Sequence, residues 1–207
     1  MALAGDRERV FLLGPPATRE IATASLADGR IVRQVKSPHG AQVEAIACSP
    51  DAKTIYYTAS KSVWAMAAEG GTPTRLGAGD SLAVDPRQGD LVVQVNERER
   101  PRLVRLPASG GPPQGIPFQS AFHLTRGALA ANAVSKDGRI VLSAPGVDSW
   151  QWGIAVLDAQ TGKVEPVPVK AADLIRPGWT ADGSIVSPSA RVRLEALWRY
   201  RPQAAGK

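Results

Sequence analysis

The residue types that most often carry catalysis are few in this 207-residue chain, and their spacing does not indicate a catalytic arrangement. The two histidines, His39 and His123, both fall in segments expected to be loops, where a solvated side chain is the simplest interpretation. Cys48 ends an apolar run before a turn, which favours a buried, inert thiol. Asp85 and Asp90 flank a tight turn, and this position favours turn capping over acid catalysis.

The longer catalytic signatures are also missing from the sequence. It contains no GxSxG nucleophile elbow, no HExxH, no paired CxxC, and none of the glycine-rich, HRD and DFG motifs of kinases. Gly77-Ala78-Gly79 joins two apolar runs and predicts a turn rather than a phosphate loop. We therefore expect no kinase, hydrolase or metal-dependent activity in this chain, and no cofactor.

Composition indicates a globular protein without an obvious nucleic-acid surface. Apolar residues make up 43% and charged residues 21% of the chain, which is close to globular averages. The formal charge of +6 is spread among acidic residues, as in Asn96-Glu97-Arg98-Glu99-Arg100, and no aromatic–basic platform stands out. No apolar run of about 18 residues and no signal peptide is found. A single cysteine excludes an intramolecular disulfide framework. The compartment stays open: cytoplasmic if the chain is complete, periplasmic if it is the sensor part of a membrane kinase.

A repeated unit organises the whole chain, and it is clearest between residues 45 and 77. Three short apolar runs and a last piece, Thr74-Arg75-Leu76, are separated by turns at Ser49-Pro50-Asp51 and Glu69-Gly70-Gly71-Thr72-Pro73. This pattern predicts four short antiparallel strands. Copies of the second half of the unit begin at Glu20, Ser62, Arg102, Gly153 and Ala196, spaced 40 to 51 residues apart.

Periods of about 40–50 residues with four strands each are typical of β-propeller blades. The sequence thus predicts an all-β chain of about five blades, three complete and two partial. The turns Asp28-Gly29, Asp137-Gly138 and Asp182-Gly183 support this assignment, because Asp-Gly favours tight hairpins. The predicted boundaries are a partial blade at 9–35, complete blades at 42–77, 80–118 and 128–169, and a partial blade at 172–202.

Two sets of motifs resemble known propellers. The stretches SPDAKTIYY and SVWAMAAEGG resemble the WD40-like, TolB-type repeats of bacteria. More narrowly, VDPRQGDLVV, KDGRIVL, GWTADGSIV and LWRYRP resemble the C-terminal propeller of bacterial serine/threonine protein kinases. The first resemblance implies the fold, and the second implies a sensor region attached to a kinase, although this chain carries no kinase domain.

The two partial blades overlap in two strands and cannot merge into one ordinary blade. We therefore expect an open arc or a fragment of a larger propeller, which would expose apolar blade surfaces and favour self-association through open blade edges.

Strand alternation divides the ends of the blades into two faces. Turns between strands one and two, and between three and four, share the hairpin face; the remaining connections share the loop face. The long connections all fall on the loop face, and they carry aromatic and arginine residues of the kind that anchor interfaces. The predicted interaction residues are Arg98, Arg100, Phe122, His123, Trp150 and Trp152.

The expected function is a non-catalytic binding or sensor module that presents this loop face to a protein, a peptide or a small ligand. No nucleic acid is expected as partner. Two alternatives stay open at this point: an accessory propeller of a peptidase or other hydrolase, and a TolB-like scaffold protein.

Overall fold

We analysed a computed structural model of the chain. It describes residues 8–13, 20–37, 40–98, 100–119, 122–127, 129–145, 153–169 and 176–188, together with the backbone of residues 2–3.

The described residues form an all-β structure without an α-helix, as the repeat predicts. Five antiparallel sheets follow one another along the chain: sheet 1 (β1–β4), sheet 2 (β5–β8), sheet 3 (β9–β12), sheet 4 (β13–β15) and sheet 5 (β16–β17). In each sheet the strands lie side by side in sequence order. The strands are β1 (Ala2–Leu3), β2 (Arg9–Leu13), β3 (Glu20–Ser25), β4 (Ile31–Lys36), β5 (Val43–Cys48), β6 (Thr54–Ala59), β7 (Ser62–Ala67), β8 (Thr74–Ala78), β9 (Ser81–Val84), β10 (Leu91–Asn96), β11 (Pro101–Leu106), β12 (Gln114–Ile116), β13 (Arg139–Ser143), β14 (Ile154–Asp158), β15 (Val164–Pro166), β16 (Gly178–Trp179) and β17 (Ile185–Val186).

The number of strands in sheets 1 and 4 differs from the number that the sequence predicts. Sheet 1 gains a short first strand, because Ala2 and Leu3 pair with β2 ahead of the predicted start at residue 9. In sheet 4 the first-strand position is reduced to an isolated bridge between Val134 and Ile140. The strand expected from residue 196 lies outside the described residues. Among the described residues, three sheets have four strands, and they are sheets 1, 2 and 3.

The last strand is the least buried one in each of sheets 1 to 4. All four residues of β9 are buried, whereas β8 is mostly exposed and β4 carries the exposed side chains of Ile31 and Val32. The first strands therefore lie at the inner side of the arc, and the fourth strands form its outer edge. This order explains why Pro and charged residues concentrate in the last strand of each repeat.

Neighbouring sheets pack face to face and share hydrophobic cores. In β10, Val92 points into the core between sheets 3 and 4, while Leu91 and Val93 point into the core between sheets 2 and 3. Successive side chains of a strand point to opposite faces, and both faces are covered here. The middle strands therefore read as continuous apolar runs rather than as an alternating pattern.

The five sheets form an arc, as the overlap of the partial repeats predicts. Contacts pass from β2 to β5, from β5 to β9 and from β13 to β16, and sheets 3 and 4 share a core. Within the described ranges the sheets do not close into a ring.

Candidate functional site

Four of the six predicted interaction residues fall within the described ranges, and all four lie on the loop face. Arg98 and Arg100 are exposed in the connection between β10 and β11. Phe122 is half-buried against the core of sheets 3 and 4, whereas the side chain of His123 is exposed. Trp150 and Trp152 lie outside the described residues, as does His39.

Hydrogen bonds hold the two described loop segments against each other. The fully buried side chain of Gln94 donates from Nε2 to Asn96 Oδ1 at 2.8 Å and to the Thr125 carbonyl oxygen at 2.7 Å. Thr125 Oγ1 in turn donates to the Ser143 carbonyl oxygen at 3.2 Å. The backbone N–H of His123 donates to the Pro145 carbonyl oxygen at 3.1 Å. The segment that presents Phe122 and His123 is therefore anchored to sheets 3 and 4.

On the opposite, hairpin face, sheets 2 and 4 contain the same type of turn. It precedes β6 in sheet 2 and β13 in sheet 4. In sheet 2, Ser49 Oγ donates to Asp51 Oδ1 at 2.6 Å and accepts the Thr54 N–H at 2.9 Å. In sheet 4, Ser135 Oγ donates to Asp137 and accepts the Arg139 N–H at 2.9 Å. The hydroxyl and the carboxylate satisfy backbone groups that the tight turn leaves without ladder partners.

Sheet 5 repeats this turn with threonine at the first position. Thr180 Oγ1 donates to Asp182, and Asp182 Oδ1 accepts the Ser184 N–H at 3.0 Å. The residue after the aspartate has a left-handed backbone in each case: Ala52 (φ 61°), Gly138 (φ 87°) and Gly183 (φ 87°). The same turn therefore reverses the chain direction in sheets 2, 4 and 5.

Sheet 3 departs from this pattern at the same turn. Asp85-Pro86-Arg87 stands where sheet 2 has Ser49-Pro50-Asp51, so an acid replaces the hydroxyl residue and a cation replaces the acid. Asp85 Oδ1 accepts the Arg87 N–H at 3.0 Å and thus caps its turn, as the sequence predicts. Its carboxylate also accepts Arg87 Nη2 at 3.2 Å and Arg105 Nη1 at 3.0 Å.

The Asp85 carboxylate is an ion held in the interior of the protein. Its side chain is fully buried, while those of Arg87 and Arg105 are 42% and 22% exposed. Burial acts to raise the pKa of Asp85, but the hydrogen bonds from Arg87 and Arg105 outweigh burial and hold the pKa below its usual range. The carboxylate is therefore ionised at neutral pH and fixes both guanidinium groups at the hairpin face.

These guanidinium groups line a cleft between sheets 3 and 4, which we call the arginine cleft. Its volume is about 400 Å³. Sheet 3 contributes its first turn and Arg105, and sheet 4 contributes both of its hairpin turns. The lining residues are Arg87, Gln88, Arg105, Asp137, Gly138, Arg139, Asp158, Ala159 and Gln160.

A second, smaller cavity of about 220 Å³ follows between sheets 4 and 5 on the same face. The guanidinium carbon of Arg139 lies 5.3 Å from the ring centre of Trp179, within the range of a cation–π contact. The same guanidinium donates from Nε to Asp137 Oδ2 at 2.7 Å. Arg139 therefore forms the wall between the smaller cavity and the arginine cleft.

The sequence did not predict the arginine cleft, because the long connections with aromatic and arginine residues all lie on the loop face. A signal was nevertheless present in the sequence. Aligning the first turns of the repeats shows an acid–cation pair, Asp85 and Arg87, at positions that carry Ser and Asp in sheet 2. A break in an otherwise repeated pattern often marks a functional position.

Among the described residues, no group of three or more His, Cys, Asp or Glu side chains could hold a metal ion. Cys48 is half-buried at the end of β5, beside the core of sheets 1 and 2. In the same ranges no helix is long and apolar enough to cross a membrane.

Comparison with solved structures identifies the class of fold. Neither a family model nor a curated protein matches the sequence. TolB from Acinetobacter baumannii is similar in structure, with a TM-score of 0.68 and 21% identity over 88% of this chain and 46% of TolB. A chain of the nidogen/laminin complex is similar with a TM-score of 0.64 and 14% identity, over 88% of this chain and 70% of that one.

Hydrazine synthase from Kuenenia stuttgartiensis is a third similar structure, with a TM-score of 0.61 and 14% identity over 90% of this chain and 54% of that one. The chain thus spans about half the length of the TolB and hydrazine synthase chains. At these identities the likeness concerns the fold, and the fold is that of a partial, TolB-like β-propeller.

Proposed function

We propose that this chain is a non-catalytic binding module that presents its loop face to a protein, a peptide or a small ligand. The observation that carries the proposal is the anchored loop surface around Gln94. Its hydrogen bonds to Asn96 and Thr125 hold the end of β10, which leads to Arg98, beside the segment that carries Phe122 and His123. A surface ordered before binding loses less conformational entropy when a partner docks.

A charge-matched pair of variants tests the use of this face. Peptide ligands would be selected from a phage-displayed library against the immobilised chain, and their dissociation constants measured by biolayer interferometry. Arg98→Ser with Arg100→Ser removes two exposed cations from the loop face. Arg30→Ser with Lys53→Ser removes two exposed cations from hairpin-face turns and serves as the control.

We expect the loop-face variant to weaken the selected ligands at least about tenfold, while the control variant binds as the wild type does. Equal affinities for all three proteins would contradict the use of the loop face. Phosphate transfer or ester hydrolysis by the purified chain, abolished by a point mutation in it, would contradict the non-catalytic assignment.

The narrower part of the proposal is that the module is the sensor region of a bacterial serine/threonine kinase. The resemblance of the motifs VDPRQGDLVV, KDGRIVL and GWTADGSIV supports it. The open reading frame on both sides of the coding sequence is the test. A kinase domain followed by a membrane span would support this assignment, whereas a GxSxG domain would favour an accessory role in a hydrolase.

We also propose that the open arc associates with other copies through its blade edges. The exposed Ile31 and Val32 of the outer strand β4 support this proposal, because exposed apolar residues on an edge strand offer a surface for strand pairing. Size-exclusion chromatography with light scattering should show dimers or larger species. A monodisperse, thermally cooperative monomer would contradict self-association.

A further inference from the structure

The arginine cleft is balanced in charge, but its charges are divided between two walls. Sheet 3 supplies the cations Arg87 and Arg105, with the buried Asp85 beneath them. Sheet 4 supplies Asp137 and Asp158, together with Arg139, which is paired to Asp137 at 2.7 Å. The three guanidinium groups and three carboxylates thus sum to zero.

The cationic wall keeps hydrogen-bond donors for a ligand. A guanidinium group carries five N–H donors. Arg87 gives Nε and Nη2 to Asp85, and Arg105 gives Nη1. Within the described residues, Arg87 Nη1 and Arg105 Nη2 make no hydrogen bond. A carboxylate in the cleft could accept from both side chains, and such charge-assisted bonds are the strong ones.

The acidic wall keeps an acceptor. Asp158 Oδ1 accepts the N–H groups of Gln160 at 2.8 Å and Thr161 at 3.2 Å, which fixes the carboxylate at its turn. These bonds lower the pKa of Asp158, so that the group is charged at neutral pH. A carboxylate offers about four lone-pair sites, so Asp158 keeps room for a further donor beside these two bonds and its side-chain hydrogen bond with Thr161. The amides of Gln88 and Gln160 line the same cleft and offer both donors and acceptors.

We propose that the arginine cleft binds a zwitterionic small molecule of the amino-acid or short-peptide class, with its carboxylate on Arg87 and Arg105 and its ammonium group on Asp158. A plain anion would meet the same arginines, but it would also meet two carboxylates on the facing wall. A zwitterion satisfies both walls and leaves the cleft neutral. The volume of about 400 Å³ lies within the range of small-ligand pockets. This site lies on the hairpin face, so it is independent of the loop-face function proposed above.

Calorimetric titration of the whole chain with matched probes tests the proposal. Diglycine carries both charges, N-acetyl-diglycine lacks the ammonium group, diglycine amide lacks the carboxylate, and inorganic phosphate is a plain anion. We expect diglycine to bind with a dissociation constant of about 1 mM or tighter, and the other three probes to bind at least about tenfold more weakly.

Two variants locate the binding. Asp158→Asn keeps an oxygen for the turn but removes the charge, so diglycine should bind about tenfold more weakly while N-acetyl-diglycine is unaffected. Gly138→Ala places a methyl group where it overlaps Arg87 Nη2, and it should displace that guanidinium and abolish diglycine binding. Gly183→Ala is its matched control, because Gly183 has the same φ of 87° and no atom within 4 Å of the added carbon.

Diglycine affinity should therefore survive Gly183→Ala and be lost in Gly138→Ala. Three results would each overturn the proposal. The first is that diglycine does not bind at about 10 mM. The second is that N-acetyl-diglycine or phosphate binds as tightly as diglycine. The third is that Asp158→Asn and Gly138→Ala both bind diglycine with wild-type affinity. If Gly138→Ala fails to fold, Asp158→Asn decides the question alone.

Discussion

Sheets 2 and 3 both have four strands, but different side-chain interactions hold their first turns. In sheet 2 a hydroxyl, Ser49, donates to the carboxylate of Asp51, which is exposed at the surface. In sheet 3 the carboxylate of Asp85 is buried and accepts from two guanidinium groups. Both turns close a hairpin with proline at the second position and a left-handed residue further on.

This comparison shows that a four-stranded sheet forms with either set of side chains at its first turn. A buried ion pair is costly to desolvate, and a hydroxyl–carboxylate turn reverses the chain without that cost. Sheet 3 nevertheless carries the ion pair, and it is in sheet 3 that the turn helps to line a cleft of about 400 Å³. We infer that Asp85 is placed to organise Arg87 and Arg105 rather than to hold the blade together.

The largest expected effect comes from removing the buried charge. Asp85→Asn deprives both arginines of their carboxylate and should destabilise the chain by about 2–3 kcal/mol, at the low end for a broken buried pair because both arginines are partly exposed. Asp51→Asn in sheet 2 is the control, since Asp51 is exposed and an amide oxygen can accept the same hydrogen bonds. Urea unfolding of both variants measures the difference. An equal loss of unfolding free energy in both variants would show that the Asp85 and Asp51 turns do not differ in this way.

The contact between sheets 2 and 3 provides the next test, at Gly79. A methyl group at Gly79 would overlap the buried side chains of Val63 and Val93, one from each sheet. Gly79→Ala should therefore cost about 2 kcal/mol through overpacking. Gly115→Ala on the outer strand β12, where no atom lies within 4 Å of the added carbon, should stay within about 0.5 kcal/mol of wild type. Thermal unfolding compares them, and a neutral Gly79→Ala would show that the two sheets are not packed as described.

A smaller effect is expected from the pH dependence of the stability that Asp85 provides. The pKa of Asp85 is lowered in the folded state, so its contribution to stability is fully present above the unfolded value of about 4. This contribution is lost as the pH falls through the lowered folded-state pKa. The difference in unfolding free energy between wild type and Asp85→Asn should therefore shrink as the pH is lowered below about 4. A difference that stays constant from neutral pH to about pH 2 would mean that Asp85 is not a paired carboxylate.

The all-β propeller architecture could be predicted from the sequence because it follows from local patterns. Apolar runs and turn residues such as Asp137-Gly138 define each hairpin, and their period indicates blades. Details at the ends were harder to predict, because β1 has only two residues and pairs through backbone groups.

The candidate site was predictable only in part. Exposure of Arg98, Arg100 and His123 follows from their place in polar connections. The arginine cleft depends on Arg105 meeting Asp85 across 20 residues and on sheet 4 facing sheet 3, and no local pattern encodes that packing. The unusual pair Asp85 and Arg87 was visible in the sequence, but its partner and the cleft were not.

The most direct test of the account is to transplant the sheet 2 turn into sheet 3. Asp85→Ser combined with Arg87→Asp converts Asp85-Pro86-Arg87 into the sequence of Ser49-Pro50-Asp51, and the new aspartate can still face Arg105. Diglycine binding by calorimetry and the melting temperature would be measured together on this double variant and on wild type. We predict a melting temperature within a few degrees of wild type, because the new serine and aspartate can cap the turn as Ser49 and Asp51 do in sheet 2, and a loss of diglycine binding. Wild-type binding, or unfolding of the double variant, would contradict the assignment of Asp85 and Arg87 to the cleft rather than to the fold.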